Sequence, residues 1–479
     1  MDVKLNIVRE FANHGFCIEP EAINLFNTYQ GQVGDLIAKV LNSLDSSVLV
    51  ISKEHVKKAI AAEERVKKVP PKYGERDFKI LSDITNKSTC IGDFHEFVTY
   101  FKDRYQKLSD MIRKRLHARP IESLKSKKGS EGEVAIIGMV SDIRTTSNGH
   151  RLIELEDRTG VFPVLISKDR ELFSQPILLD EVIGVSGFLT NNNGLLIAKD
   201  IFYPDIPTDH EPNVASENIC AALISDIHIG SSVFLEETWL SFIKWLNLKV
   251  EEERELAERI KYLLIAGDLV DGIGVYPNQE RELSIMDIYE QYEKAAEYLA
   301  EVPSHIQIII SPGNHDAVRQ AEPQPAIGRE YTKPFKMKNV QFIGNPALIE
   351  LHGVRILIYH GRSLDDLKAA LPNASYDKPE KLMVEMLKRR HLAPIYGGRV
   401  LIAPEENDHF VINMVPEILH CGHVHTAGCM KYRGVTLVNS GTWQSQTEYQ
   451  RALNLTPMPA RASIVDLKTL ETKILRFGY

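Results

Sequence analysis

Apolar residues recur at helix-like intervals early in the chain: Ile7, Phe11, Ile18, Ala22, Leu25 and Phe26, then Leu36-Ile37-Ala38-Lys39-Val40-Leu41 after breaks at Gly31 and Gly34. This spacing predicts a small helical module over residues 1–70. Residues 71–130 read as a linker and basic helical region: a Lys- and Pro-rich stretch through Pro70-Pro71, a strand-like piece at Phe78-Lys79-Ile80-Leu81, a basic helix from Phe94 to His117, and a polar connector from Ser123 to Ser130. Five strand patterns crowd residues 131–204, at 133–140, 151–157, 161–166, 182–187 and 195–198, with Arg158-Thr159-Gly160 as a turn and a short helix after the third. A Pro-punctuated linker follows at 204–217. From 218 the pattern changes to short, nearly all-apolar runs, each with a Gly near its end, which predict buried strands alternating with crossover helices at 236–259 and 284–301.

Five strands with a helix between the third and fourth is the order of an OB-fold barrel. The Leu155-Glu156-Asp157-Arg158-Thr159-Gly160 turn resembles those of OB-folds that bind nucleic acids. Such barrels often hold single strands by a basic groove and aromatic stacking, and Arg144 and Arg151 are the candidate contacts. The candidate strands carry few aromatics, so a purely structural barrel is an equal alternative.

Composition narrows the class. Apolar content of 43% and charged content of 25% fit a globular protein, and no apolar run approaches the ~20 residues of a membrane span. The start, Met1-Asp2-Val3-Lys4, has no signal-peptide core, so a cytoplasmic location without membrane contact is expected. Cys17, Cys90, Cys220, Cys421 and Cys429 lack CxxC spacing, which argues against a disulfide framework. A net charge of −8 does not announce a nucleic-acid binder, yet Lys102 to Lys128 holds ten Lys or Arg against three Asp or Glu. That excess suits a solvated helix or a phosphate-contacting surface equally.

The ends of the five late runs carry the chemistry. They deliver Asp226-Ile227-His228, Gly267-Asp268-Leu269-Val270-Asp271, Gly313-Asn314-His315-Asp316, His360-Gly361 and Gly422-His423-Val424-His425. Ligands gather at this edge of α/β sheets. A set of His, Asp and Asn without thiolate suits manganese, iron or zinc ions. On an extended chain, residues two apart point the same way, which would pair Asp226 with His228 and His423 with His425. A zinc knuckle from Cys421, His423, His425 and Cys429 is the alternative, but its spacing is too tight for a structural site.

The constellation resembles the calcineurin-like metallophosphoesterase family over residues 218–479. The resemblance implies a β-sandwich with flanking helices, preceded by the OB-fold barrel and the helical module. It also implies two divalent metal ions, Mn²⁺ first, with Fe²⁺, Zn²⁺ or Mg²⁺ as substitutes. Asp226, His228 and His425 would hold one ion, Asn314, His360 and His423 the other, and Asp268 would bridge them. His315 would contact the phosphate and assist the leaving oxygen. Asp271 would orient His315, and a carboxylate so placed would raise the histidine's pKa.

An OB-fold followed by such a domain resembles the small subunits of replicative DNA polymerases. With every ligand position filled, the resemblance is to those of the archaeal family-D polymerases. Residues 387–398 and 439–447 share in it. It implies a proofreading 3′–5′ exonuclease acting on a single-stranded or mismatched primer 3′ end of DNA, with a large catalytic subunit as partner in a heterodimer. Two rivals stand beside it: a non-catalytic scaffold for the large subunit, and a phosphodiesterase for small nucleotides.

Overall fold

The computed structural model describes residues 3–29, 33–42, 44, 48, 50–59, 77–125, 132–190 and 194–478. The Pro70-Pro71 linker and the connector at 126–130 lie outside the described residues. The chain divides into two compact units, Met1–Arg76 and Asp77–Tyr479.

In the first unit, helices Val3–Asn13, Pro20–Thr28 and Val33–Asn42 turn their apolar stripes onto one core of Ile7, Phe11, Ala22, Phe26, Leu36 and Val40. Cys17–Ile18 and Val50–Ile51 add a short parallel pairing.

The second unit combines a barrel with a two-sheet sandwich. Strands Glu133–Thr145, Arg151–Asp157, Gly160–Ile166, Val182–Leu189 and Leu196–Phe202 close into the barrel, with a 3₁₀ turn at Glu171–Ser174 before the fourth. Alternation places Ile153, Leu155, Val164 and Ile166 inside. The Asp157 carboxylate accepts the amides of Thr159 and Gly160 to form the turn and that of Ile121 to tie down the preceding segment.

One sandwich sheet runs Val340–Phe342, Gln307–Ser311, Ile260–Ala266, Cys220–Ile224, Arg461–Asp466, Thr472–Arg476, with its first four strands parallel. The other runs Ala427–Tyr432, Val435–Ser440, Ile418–Cys421, Val354–Ile358, Ala347–Leu351, Phe78–Ser82. Their inner faces share a core that includes Leu223, Leu264, Ile309, Ile349, Ile356, Ile418 and Val438. Helices Glu236–Leu246 and Ile288–Ala300 cover the first sheet, and Leu364–Ala370 and Pro379–Arg389 the second. Each apolar run read from the sequence is therefore a strand buried on both faces. The expected helix over 236–259 breaks after Leu246, where Leu248 and Glu253 take left-handed backbone conformations.

The region read as a linker and basic helix is built into this unit. Phe78–Ser82 pairs antiparallel with Ala347–Leu351, and Lys79 Nζ meets Glu350 Oε1 at 2.9 Å. The open edge of Ala347–Leu351 recruits the strand, and such an edge leaves no local signal. Helix Phe94–Arg113 starts on a capping box between Asp93 and Glu96 and wedges between barrel and sandwich. Its Tyr105, Leu108 and Ile112 pack on Ile137 and Val182 of the barrel and on Val411. Gly184 permits the approach, since a Cβ there would run into Ile112 and Leu116. Among the described residues, no helix is long and apolar enough to cross a membrane.

The charge run also turns partly inward. Arg104 is fully buried, with Nε 2.8 Å from Asp408 Oδ2 and further bonds to the Pro394 carbonyl and the Tyr100 hydroxyl. His391 Nε2 donates to the same carboxylate oxygen at 2.8 Å, while its Nδ1 accepts the Ala393 amide, so the ring is held neutral. Burial, then Arg104, pushes His391 down to about 4. Burial would raise Asp408, but His391 and Arg104 outweigh it and hold it far below the carboxylate range.

Removing one partner leaves a buried charge, so Asp408→Ala should cost about 3–5 kcal/mol in denaturant unfolding of this unit. Acid should act in the same direction. The unfolded chain takes up the His391 proton below about pH 6.5, while the folded chain resists until about pH 4, so stability falls through that window. Asp408 extends the loss below its unfolded value of about 3.9. His391→Gln should lower the pH slope between those limits by up to one proton, and an unchanged slope would refute the assignment.

Candidate metal centre

Five strand ends meet at one place, three from the first sheet and two from the second. Cys220–Ile224 leads to Asp226 and His228, Ile260–Ala266 to Asp268, and Gln307–Ser311 to Asn314 and His315. Val354–Ile358 leads to His360, and Ile418–Cys421 to His423 and His425. The loops stay laddered beyond the strands: the Asp226 amide donates to Gly267 O, the Ile227 and His228 amides to Asp268 O, and the Gly422 amide to His360 O.

The backbone here is not the extended chain that the two-residue spacing suggested. Asp226, His228, Asp268, His423 and His425 have φ of 51°, 56°, 52°, 69° and 58°. Left-handed conformations cost non-glycine residues energy and cluster at functional sites. The side chains converge because the chain turns at each of them. Two glycines make room: a Cβ on Gly267 would collide with the His360 ring, and one on Gly313 with the Asp268 carboxylate and amide.

Asp268 sits at the centre. Its Oδ2 lies 3.2 Å from His360 Nε2 and 3.9 Å from His228 Nε2, while its Oδ1 accepts the His315 amide at 2.8 Å. On one side, Asp226 Oδ1 is 3.4 Å from His425 Nε2, and the Nε2 atoms of His425 and His228 approach to 3.0 Å. On the other, His360 Nε2 is 3.1 Å from Asn314 Oδ1, and the rings of His360 and His423 stand edge to face at 5.1 Å. His423 Nε2 faces Asp365 Oδ2 at 3.3 Å. His360 Nδ1 donates to the Ala266 carbonyl, which turns Nε2 inward.

These donors fit divalent cations. Two imidazole nitrogens crowd together beside one carboxylate oxygen, and carboxylates and imidazoles are the chemistry of manganese, iron or zinc sites. Among the described residues, the metal-capable groups are Asp226 with His228 and His425, His228 with Asp268 and His315, and Asp226 with Asp268 and His360. None contains a cysteine: Cys421 packs in an apolar core and Cys429 is exposed, which sets the zinc knuckle aside. The electrostatics point the same way. Burial pushes Asp268 up, but His360 and His315 hold it well below the carboxylate range. Burial opposes protonation of His360, but Asp268 and Asp226 raise it to about 10.

Asp271 does not orient His315 through its carboxylate. Asp271 Oδ1 is 3.0 Å from His228 Nδ1 and 4.0 Å from His315 Nδ1. Gln279 and Gln444 hold the carboxylate in that orientation. His315 Nδ1 donates instead to the Asp271 backbone carbonyl at 2.7 Å. Burial lowers the His315 pKa, with Asp268 opposing it, so the expected upward shift is absent. Arg144 is taken up by Asp142 and Glu154, and Arg151 donates to the carbonyls of Gln175 and Phe173, so both candidate strand contacts have internal partners. Three supporting residues went unread in the sequence: Asp365 beside His423, Gln450 beside His425 at 2.8 Å, and Asn345, which accepts the His360 amide. Each lies well away in sequence from the group it holds. Asp316 had a signal in its place after His315. It accepts the Gly313 and Leu269 amides and shapes the loop.

A family of B-type subunits of the alpha and epsilon DNA polymerases matches residues 222–429. The DNA polymerase II small subunit of Archaeoglobus fulgidus is 42% identical over 475 residues, covering 96% of this chain and 95% of that protein. The Halobacterium salinarum protein of the same name is 46% identical over 407 residues, 84% and 79% of the two chains. That of Methanothermobacter thermautotrophicus is 44% identical over 414 residues, 85% and 84%. An archaeal phosphodiesterase of known structure matches 54% of this chain and 99% of its own at 13% identity, with a TM-score of 0.27, too low to bear on fold or function.

Because Asp271 reaches His228, Asp271→Asn should weaken divalent-cation binding by about 10–100-fold. Calorimetric titration with Mn²⁺ checks this, and unchanged affinity would return Asp271 to a role at His315.

Proposed function

The chain belongs to the family of DNA polymerase II small subunits, those of the archaeal family-D DNA polymerase, and from that premise we propose that it is the complex's proofreading 3′–5′ exonuclease. The substrate is the 3′-terminal phosphodiester of a primer, single-stranded or mismatched, because unpairing costs least there. The large catalytic subunit is the partner. The unit from Asp77 onward is read as a calcineurin-like phosphoesterase carrying an OB-type barrel.

The observation that supports this reading is the gathering of seven side chains with nitrogen or oxygen donors, Asp268 at their centre, from five strand ends. Asp226, His228 and His425 would hold one divalent cation, Asn314, His360 and His423 the other, with Asp268 shared. Bound there, two such ions, manganese first, would supply water activation and charge neutralisation at the attacked phosphate. The chain's own residues do the rest. Asp271 and Asp365 fix His228 and His423. His315, with Nδ1–H committed to the Asp271 carbonyl, keeps Nε2 for the phosphate; once that nitrogen has taken a proton from solvent, it would contact the phosphate as the imidazolium and give the Nε2 proton to the leaving 3′ oxygen. Burial of the cluster excludes bulk water and strengthens each of these interactions.

The test is Mn²⁺-dependent release of nucleotide from a 3′-mismatched primer by the complex. His315→Ala should keep both cations and lose about 10²–10⁴ in rate, and loss of a cation instead would make His315 a ligand. Asp268→Ala and His360→Ala should lose cations and activity while still copurifying with the large subunit. A wild-type complex that assembles and binds metal yet releases nothing would leave the scaffold reading in its place.

A further inference from the structure

Beside the cluster stands an aromatic pair that the proposed chemistry does not use. The rings of Tyr276 and Tyr449 stack at 5.2 Å with an interplanar angle of 29°, and the Tyr276 ring lies 6.1 Å from that of His315. Tyr449 is 44% exposed although one side of it is covered, so it keeps an open aromatic surface. A surface tyrosine with an open ring is usually left mobile, but this pair is fixed. The Glu282 carboxylate accepts the Tyr276 hydroxyl at 3.2 Å through one oxygen and the Glu448 amide at 2.7 Å through the other. Glu448 opens the short helix Glu448–Ala452, which Thr447 and Gln450 close with a capping box. Tyr449 is therefore held on both sides of its backbone. The neighbouring Gln450 reaches His425 Nδ1 at 2.8 Å, which couples the helix to the cluster.

We propose that Tyr276 and Tyr449 form a stacking platform for the terminal nucleobase of a DNA strand whose last phosphodiester lies at His315. The inference rests on the phosphodiesterase reading of the cluster and adds what recognises the strand there. Stacking accepts any base, because every base has a π-face. It also favours an unpaired end, since a paired terminal base is already stacked in its duplex. The platform would thus select frayed ends without reading sequence, and it assigns strand recognition at the site to this pair instead of to Arg144 and Arg151.

The test measures binding apart from turnover. Anisotropy of a short single-stranded oligonucleotide is followed on the full chain in EDTA, with ordinary 3′-terminal nucleotides or with abasic ones. Wild type should prefer the base-bearing strand by about tenfold. Tyr449→Ala should erase that preference, and Tyr449→Trp should keep it. Tyr276→Leu, with circular dichroism to verify folding, should weaken it. Equal binding of both strands by wild type, or an undiminished preference in Tyr449→Ala, would overturn the platform. A retained stacking preference in the chain, beside a complex that assembles and binds metal yet hydrolyses no diester with Mn²⁺, would overturn the exonuclease reading and leave the platform standing.

Discussion

A carboxylate taken out of water is costly to hold ionised, and Asp268 is almost wholly buried. Its charge is met by an imidazole at 3.2 Å, a second at 3.9 Å and a backbone amide at 2.8 Å. Those three groups come from three different strand ends in two different sheets. Asp268 can stay ionised only if both sheets end at the same level, and that requirement fixes their mutual placement. The glycines beside it follow from the same crowding, since a methyl group at Gly267 or Gly313 would occupy the space of an imidazole or of the carboxylate itself.

Much of this was legible because it is local. A run such as Tyr262-Leu263-Leu264-Ile265-Ala266 is apolar throughout since both faces are covered, and the polar residue that ends it stands where the strand leaves the core. Runs of that kind pointed to Asp226, His228, Asp268, Asn314, His360, His423 and His425, whose strand ends meet at one edge of the sandwich. The partner of each group was not legible. Asp271 is three residues from Asp268 and looked like a companion for His315, yet its carboxylate turns to His228 because two glutamines, Gln279 and Gln444, hold it there. The spacing of Asp226 and His228 suggested an extended chain, whereas both take left-handed backbone conformations that no periodicity encodes.

The basic run from Lys102 to Lys128 shows the limit of charge counting. Counting treats every cation as facing water. Arg104 faces Asp408, some three hundred residues later, and the helix that carries it is the joint between barrel and sandwich. A run of one sign can be half structure, and only the tertiary partner reveals which half. The barrel turn at Asp157 makes a similar point: a motif that resembles a nucleic-acid contact spends its carboxylate on two turn amides and a neighbouring segment.

The edge strand Phe78–Ser82 changes how the molecule must be assembled. It precedes the barrel in the chain, yet it hydrogen-bonds to a sheet whose other strands all follow the barrel. The barrel is thus an insertion moored at two points rather than a bead on a single tether, and a two-point mooring suppresses swivelling. It also ties the folding order to synthesis. The sandwich cannot complete its second sheet until a segment made early meets strands made some 265 residues later, a long loop to close. A fragment cut just ahead of the barrel would keep every residue of the metal-capable groups and still expose Ala347–Leu351 as an unpaired edge, the kind of surface through which chains adhere to one another.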